Sequence, residues 1–393
     1  MTQQELNTRS DAAGERHFAA AVGTERLLGL DALRGMAALG IMLYHYWLDF
    51  KIAPLPAHTM SMLGLYGVSI FFMISGAVIW RKYAAISHFD RREAVVFLIK
   101  RWFRIAPLVI AATLVGYLGY IASYVVNGQT GYQIFHDPVR LFMIVTFGNA
   151  LDYSPRYASL ITGGWSLQVE FSFYFLLCAI LLIIPRSYRM ATVIGLLAFG
   201  LYYRLVVFPH LPAQTAWTNY VHFWSQLMFF SLGILAIEAY DRGMMRYPAT
   251  IATAALLSAT LIDIPAPVAG FTNSYAGPAA TLFYGGLAAL MVFAMAAIAI
   301  PRPLVGSASF IGDISYAVYV CHPLVYGVYS LARGPKSLIG YLICILVTII
   351  ASALVYRWVE RPFIKLGARV AGSTTGLDIR RAQSNPVRGP EHV

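Results

Sequence analysis

The sequence predicts an all-α, polytopic transmembrane helix bundle of about ten spans, with one further re-entrant segment. Three observations carry that prediction. Of 393 residues, 59% are hydrophobic and only 12% are charged, about half the charge of a soluble domain. Apolar runs recur at the length of about 20 residues that a helix needs to cross a bilayer. The 29 Lys and Arg residues, which leave a net charge of +11, concentrate in alternate loops, as the cytoplasmic loops of membrane proteins do. A basic chain could also suit nucleic acid, but here the cations flank apolar runs, so no nucleic-acid partner is expected. Such a chain cannot fold as a soluble domain.

Residues 1–26 are polar and mixed in charge, and read as a cytoplasmic N-terminal segment. The first apolar run, about 27–49, is too long for a signal peptide and lacks a small-residue cleavage site at its end, so it is expected to remain as the first span. Further spans are expected at about 62–80, 102–126, 165–184, 190–208, 222–240, 249–264, 277–300, 308–330 and 338–357. The run Leu141–Leu151 is shorter. Letting it cross would invert every later loop and spoil the charge asymmetry, so it reads as re-entrant or interfacial. With that count, Arg81, Lys82, Arg91, Arg92, Lys100, Arg101 and Arg104 share a side with Arg357, Arg361, Lys365 and Arg369. Lys51, Arg140, Arg156, Arg204, Arg333 and Lys336 are left on or near the other face. Both termini are therefore expected in the cytoplasm. The transmembrane domain spans 27–367, and 368–393, rich in Gly, Pro, Ser, Thr and Arg from about Ser373, reads as a disordered cytoplasmic tail. Cys178, Cys321 and Cys344 each lie in an apolar stretch without a C-x-x-C spacing, which indicates neither a disulfide framework nor a metal site.

Ionisable side chains inside spans are costly and are functional candidates by default. Arg34 and His45 lie eleven residues apart in the first span, about three turns on one face and about 16 Å along the axis. Each also has a purely structural reading: Arg34 can bridge to Asp31 three residues earlier, and His45 can anchor the interface beside Tyr44, Tyr46 and Trp47. Arg101 and Arg104 open the third span on a shared face, where guanidinium groups suit a phosphate-bearing ligand or plain anchoring to lipid headgroups. Glu170 lies about one and a half turns into the fourth span, after Trp165, and is expected at the depth of His45. A carboxylate there would orient the imidazole and raise its basicity. In the ninth span His322 precedes Pro323 and either lines a pocket or bonds backbone freed by the proline. The Tyr66-Gly67 and Ser75-Gly76 pairs suggest close packing of the second span, and Glu360-Arg361-Pro362 reads as an amphipathic boundary after the last.

These segments, in order, resemble the acyltransferase 3 family of bacterial membrane O-acyltransferases. The matching pieces are Gly29-Leu-Asp-Ala-Leu-Arg34-Gly with His45, Tyr66-Gly-Val-Ser-Ile-Phe-Phe-Met-Ile-Ser-Gly76, and Arg101-x-x-Arg104. Trp165-Ser-Leu-x-x-Glu170-x-x-Phe173-Tyr174, Ser315-Tyr-x-x-Tyr319-x-x-His322-Pro and Glu360-Arg-Pro-Phe363 follow. The resemblance implies transfer of an acyl group, often acetyl, from cytoplasmic acyl-CoA to a hydroxyl of a glycan or small molecule, in the bacterial inner membrane. It implies that Arg34, His45, Arg101 and Arg104 are tied to activity. The second-span motif departs slightly, reading Ser-Gly-Ala where an aromatic often follows the glycine. Some members carry a fused extracytoplasmic hydrolase-like domain. None is visible here, so a partner enzyme would be a separate chain.

The reading expected is therefore His45 and Glu170 as catalytic groups, with His45 taking either the acceptor proton or the acyl group itself. Arg34, Arg101 and Arg104 would hold the acyl-CoA co-substrate, and His322, Trp165 and Tyr319 would contact substrate. No permanently bound cofactor and no metal are expected; membrane lipid surrounds the protein. The competing class is a transporter or flippase of a lipid-linked sugar or small molecule, using the Arg, His and Glu residues as a relay, but no convincing internal repeat supports it.

Overall fold

The structure, a computed structural model, describes residues 26–127 without Ala85, Ser87 and His88, residues 142, 143 and 147, and residues 163–384 without Thr272. Among these residues every regular element is helical. Ten helices answer in order to the ten expected spans: α1 Leu28–Phe50, α2 Ala57–Tyr83, α3 Arg91–Asn127, α4 Trp165–Ile183, α5 Arg186–Tyr202, then, after the short α6 Ala216–Val221, α7 Phe223–Asp241, α8 Pro248–Leu261, α9 Pro278–Ala297, α10 Val305–Leu331 and α11 Leu338–Val355. A last helix, α12, runs Arg361–Ser384, across the expected boundary at 367. Apart from Phe142, Met143 and Phe147, the run Leu141–Leu151 lies outside the described residues, as do 1–25 and 385–393.

Seven of the helical segments are long and apolar enough to cross a membrane, and the chain is a multi-pass membrane protein. α1 is not among the seven, although its 23 residues suffice, because Asp31, Arg34 and His45 dilute its apolar character. α8 has 14 residues, short of the span length. α11 turns Leu338, Ile339, Leu342, Ile343, Leu346 and Ile350 outward, as a helix facing lipid chains does.

α1 is the centre of the bundle, packed between α10 and α2, with α2 lying in turn on α7. Close approach explains the glycines there. A Cβ on Gly233 of α7 would stand 1.9 Å from the Met73 carbonyl oxygen, and one on Gly76 of α2 would stand 2.4 Å from that of Phe230. The close packing suggested by the Ser75-Gly76 pair is thus a backbone-to-backbone contact of α2 with α7.

Antiparallel succession gives the bundle two ends. At the first, Arg26, the end of α2, the end of α7 and the turn after α11 come together: Arg81 Nε donates to Asp241 Oδ1 at 3.0 Å and Trp80 Nε1 to Glu238 at 2.8 Å. Arg189 binds this end together, donating to the carbonyls of Leu181 and Ile184 at the end of α4 and of Ala84 and Ile86 after α2. These include acceptors that helix termini leave without intrahelical partners. At the second end lie the loops 51–56 and 332–337, where the Ser337 hydroxyl caps α11 by accepting from the Gly340 N–H at 3.2 Å.

Candidate active site

The first end holds a small cavity of about 60 Å³, lined by Arg34 from α1, Ser75 from α2, Arg101 and Arg104 from α3, Glu170 and Tyr174 from α4, and Tyr316 from α10. Three guanidinium groups expected from the sequence to act together are thus brought together. Arg34 Nη2 donates to Asp31 Oδ1 and to the Gly312 carbonyl, both at 2.9 Å, and Nε donates to Ser315 Oγ at 3.1 Å. The bridge to Asp31 forms, and Arg34 lines the cavity as well. Asp31 also receives Arg26, whose Nη2 reaches Asp313 at 2.7 Å. The Arg101 guanidinium lies 5.4 Å from the Phe97 ring centre and 5.8 Å from that of Tyr174, within cation–π range. Its Nε is buried with no hydrogen-bond partner among the described residues.

Glu170 accepts hydrogen bonds from the Ser75 and Tyr174 hydroxyls. A half-buried carboxylate held by two hydroxyls and facing arginines is a charge-balancing group for the cavity.

The second constellation lies about three turns away along α1. His45 Nδ1 stands 3.0 Å from Nε2 of His322 on α10, and the rings stack with centres 5.0 Å apart. His322 is fully buried, and its Nδ1 lies 3.0 Å from the Val318 carbonyl. The side chain therefore does bond backbone beside Pro323, and its other nitrogen is given to His45. Tyr46 is buried rather than interfacial: its hydroxyl donates to the His322 carbonyl at 2.9 Å and meets Thr348 Oγ1 at 2.6 Å.

Tyr319 borders this pair, and Trp165 lies one residue before Ser166, which Tyr319 meets. The Tyr319 hydroxyl donates to the Gly163 carbonyl at 2.7 Å and lies 2.8 Å from Ser166 Oγ, while its ring meets His322 edge-on at 6.1 Å. Gly163 has φ +82°, and a Cβ there would come within 2.6 Å of the Tyr319 oxygen, so only glycine fits. Trp165 packs against Tyr220, Phe72 and Trp217, at 5.8, 6.1 and 6.2 Å between ring centres.

One expected pairing is corrected. His45 meets His322, while Glu170 meets Ser75 and Tyr174 in the arginine cavity. The reason lies in where α4 begins. The contacts of Gly163 and Ser166 with Tyr319 set the start of α4 about one turn inside His322, not level with the end of α1. Glu170, four residues beyond Ser166, therefore falls about 10 Å further along the bundle than the histidines at 1.5 Å per residue.

Residues 27–357 match the family described as an acyltransferase domain, acyltransferase 3. The chain belongs to the acyltransferase 3 family. Among its relatives is the exopolysaccharide production protein ExoZ of Rhizobium meliloti, 27% identical over 336 residues, with 82% of this chain and 96% of ExoZ covered. Another is the O-acetyltransferase OatA of Staphylococcus aureus, 25% identical over 364 residues, with 87% of this chain and 58% of OatA covered. The chain thus spans nearly all of ExoZ and little more than half the length of OatA. No solved structure matches it. Family and relatives together make the chain an enzyme of the O-acetyltransferase kind.

In this acyltransferase two charges, Glu360 and Arg204, are buried where the sequence predicts exposed boundary or loop positions. Glu360, taken as a boundary residue, sits in a π-helical turn, Tyr356–Glu360, buried and close enough to Arg104 and Arg34 to attract both, with Oε2 unpartnered among the described residues. Its place in the family motif Glu360-Arg-Pro-Phe363 was the available signal. Arg204, expected near the outer loops, is buried in a second π-helical turn, Tyr203–Val207. Its guanidinium is flanked by the Phe208 and Tyr220 rings at 4.7 and 4.6 Å, and Nη1 donates to Ser225 Oγ at 2.9 Å. Only its position inside an apolar run hinted at this.

Proposed function

We propose that this protein moves an acyl group, most simply acetyl, from cytoplasmic acyl-CoA to a hydroxyl of a cell-surface or exported glycan. It would do so in the bacterial inner membrane with both termini in the cytoplasm. The observation that carries the reading is the arrangement along α1: an arginine-lined cavity at one end and, about 16 Å along the same helix face, an imidazole. A coenzyme A thioester has that form, polyanionic at one end and neutral along a thin arm to the reacting carbon. Arg101 and Arg104 hold phosphate through paired N–H donors, and Arg34 stands where the arm would enter. Keeping the anion at the mouth and the neutral arm in the bundle minimises the desolvation cost.

At the far end His45 takes the proton of the acceptor hydroxyl while the oxygen attacks the thioester carbonyl. The new C–O bond forms, the C–S bond breaks, and the proton passes from His45 to the departing thiolate. Tyr319, whose ring meets His322, and Trp165 would contact the acceptor in this reading. Glu170 acts in the donor cavity, balancing the arginines.

The test is direct. Native protein and His45→Ala are expressed in a strain lacking its own copy, and ester-linked acetyl on purified surface glycan is measured. The native protein is expected to add acetyl and the variant to lose at least about 100-fold, the lower range of general-base contributions, while remaining in the membrane. Equal acetyl in both would remove His45 from the mechanism. No acetyl in either, with no acetyl-CoA consumed by the purified protein, would remove the reading.

A further inference from the structure

The geometry points to His322 as a positioning residue that fixes His45 in the tautomer with hydrogen on Nδ1, leaving Nε2 as the reactive nitrogen. The inference rests on the acyl-transfer reading for its consequence, and on two contacts for its substance.

The argument runs outward from a carbonyl. Val318 O can only accept, so the His322 Nδ1 that stands 3.0 Å from it must carry hydrogen. A neutral imidazole has one N–H, so His322 Nε2 is left as an acceptor. That nitrogen stands 3.0 Å from His45 Nδ1, so His45 must donate and its own hydrogen lies on Nδ1. The sequence of bonds is therefore His45 Nδ1–H to His322 Nε2, and His322 Nδ1–H to Val318 O. The Ile41 carbonyl, one turn earlier on α1, also bonds the His45 ring; a carbonyl only accepts, so it shares the single N–H on Nδ1, and Nε2 is left with its lone pair. His45 itself is half-buried, whereas His322 is sealed, so the outer ring is the one a substrate can reach.

The direction is held by the surrounding backbone and rings. Val318, His322 and Pro323 share one stretch of α10. The Tyr46 hydroxyl pins the His322 carbonyl at 2.9 Å, and the Tyr46 and Tyr319 rings stand edge-on to the His322 ring at 6.2 and 6.1 Å. No carboxylate is needed in this arrangement. When His45 Nε2 takes the acceptor proton, the positive ring shares its charge through Nδ1–H with a neutral imidazole. The proton returns from Nε2 to the thiolate, so His322 neither gains nor loses hydrogen over the cycle.

The test reads the tautomer without substrate. Full-length protein with ¹⁵N-labelled histidine is reconstituted in lipid nanodiscs, and the His45 and His322 nitrogens are assigned by comparison with His45→Gln and His322→Gln. Native protein is expected to show a protonated Nδ1 and an unprotonated Nε2 on both rings. An Nε2–H tautomer at His45 would overturn the inference whatever the protein acylates. Kinetics supply the second arm, with thiol release from acetyl-CoA followed for the same samples. His322→Phe, which keeps a ring without an acceptor, is expected to mix the His45 tautomers and lower kcat at least about tenfold with KM for acetyl-CoA unchanged. His322→Gln, which can present its amide oxygen to His45, is expected to recover part of the loss. If His322→Phe fails to fold, native tautomer and His322→Gln still decide. Native kcat in a folded His322→Phe protein would also overturn the inference. Failure of acetyl transfer by native protein counts against the proposed function and leaves the tautomer result standing by itself.

Discussion

At the scale of single residues, the arginine cavity turns on what a guanidinium can do that an ammonium cannot. Arg101 lies over two aromatic rings and has a buried Nε without a partner among the described residues. Lysine would keep the charge and lose the planar fork. Arg101→Lys is therefore expected to raise KM for acetyl-CoA about tenfold, equivalent to about 1.4 kcal/mol, with kcat within about twofold of native. Steady-state kinetics in detergent check this, and an unchanged KM would remove Arg101 from donor binding. Glu170→Gln keeps the hydroxyl contacts of Ser75 and Tyr174 but removes a charge facing the arginines, so it is expected to change KM for acetyl-CoA more than kcat. A fall in kcat alone would return Glu170 to the reacting atoms. The arginines were legible in the sequence because a charge in an apolar run stands out. The depth of Glu170 was not, because it depends on the level at which α4 begins, and that level is set by contacts of Gly163 and Ser166 with α10 rather than by the run itself.

At the scale of elements, the site depends on helices approaching closely enough to bring α1, α2, α3, α4 and α10 around one cavity. The α2–α7 contact, at Gly76 and Gly233, is a support for that assembly. A methyl group at Gly233 has backbone on the other side, with nothing flexible to yield, and overpacking of this kind costs about 1–3 kcal/mol. Gly233→Ala is expected to lower the apparent melting temperature of the purified protein by several degrees. Gly286→Ala on α9 serves as the control, since a Cβ there meets nothing within 4 Å and alanine favours helix over glycine. Equal melting of both variants would mean that α2 and α7 can separate without cost. The ten helices themselves were legible from apolar run lengths, with ends displaced by a few residues except at α3, which starts at Arg91, eleven residues before the expected 102, because its first turns are charged. The π-helical turns at Tyr203–Val207 and Tyr356–Glu360 were not, because one inserted residue per turn leaves composition unchanged while it turns Arg204 and Glu360 inward.

At the scale of the whole molecule, the two ends of the bundle must face different compartments if donor and acceptor arrive from opposite sides. The cavity of Arg34, Arg101 and Arg104 lies at the end shared by the α7–α8 loop, and the histidine pair lies toward the end shared by the α10–α11 loop. The proposed function puts the first end in the cytoplasm, as the charge asymmetry of the sequence predicts, where acyl-CoA is found. Single-cysteine variants test this in intact cells with a membrane-impermeant maleimide. Arg246 and Lys336 are exposed in those two loops, and the native Cys178, Cys321 and Cys344 are buried, so they should contribute little background. Lys336→Cys is expected to label in intact cells of a strain with a permeable outer envelope, and Arg246→Cys only after the inner membrane is opened. The reverse pattern would put the arginine cavity outside the cell. Acyl-CoA could then not be the donor, and the cavity would have to serve an extracytoplasmic anion.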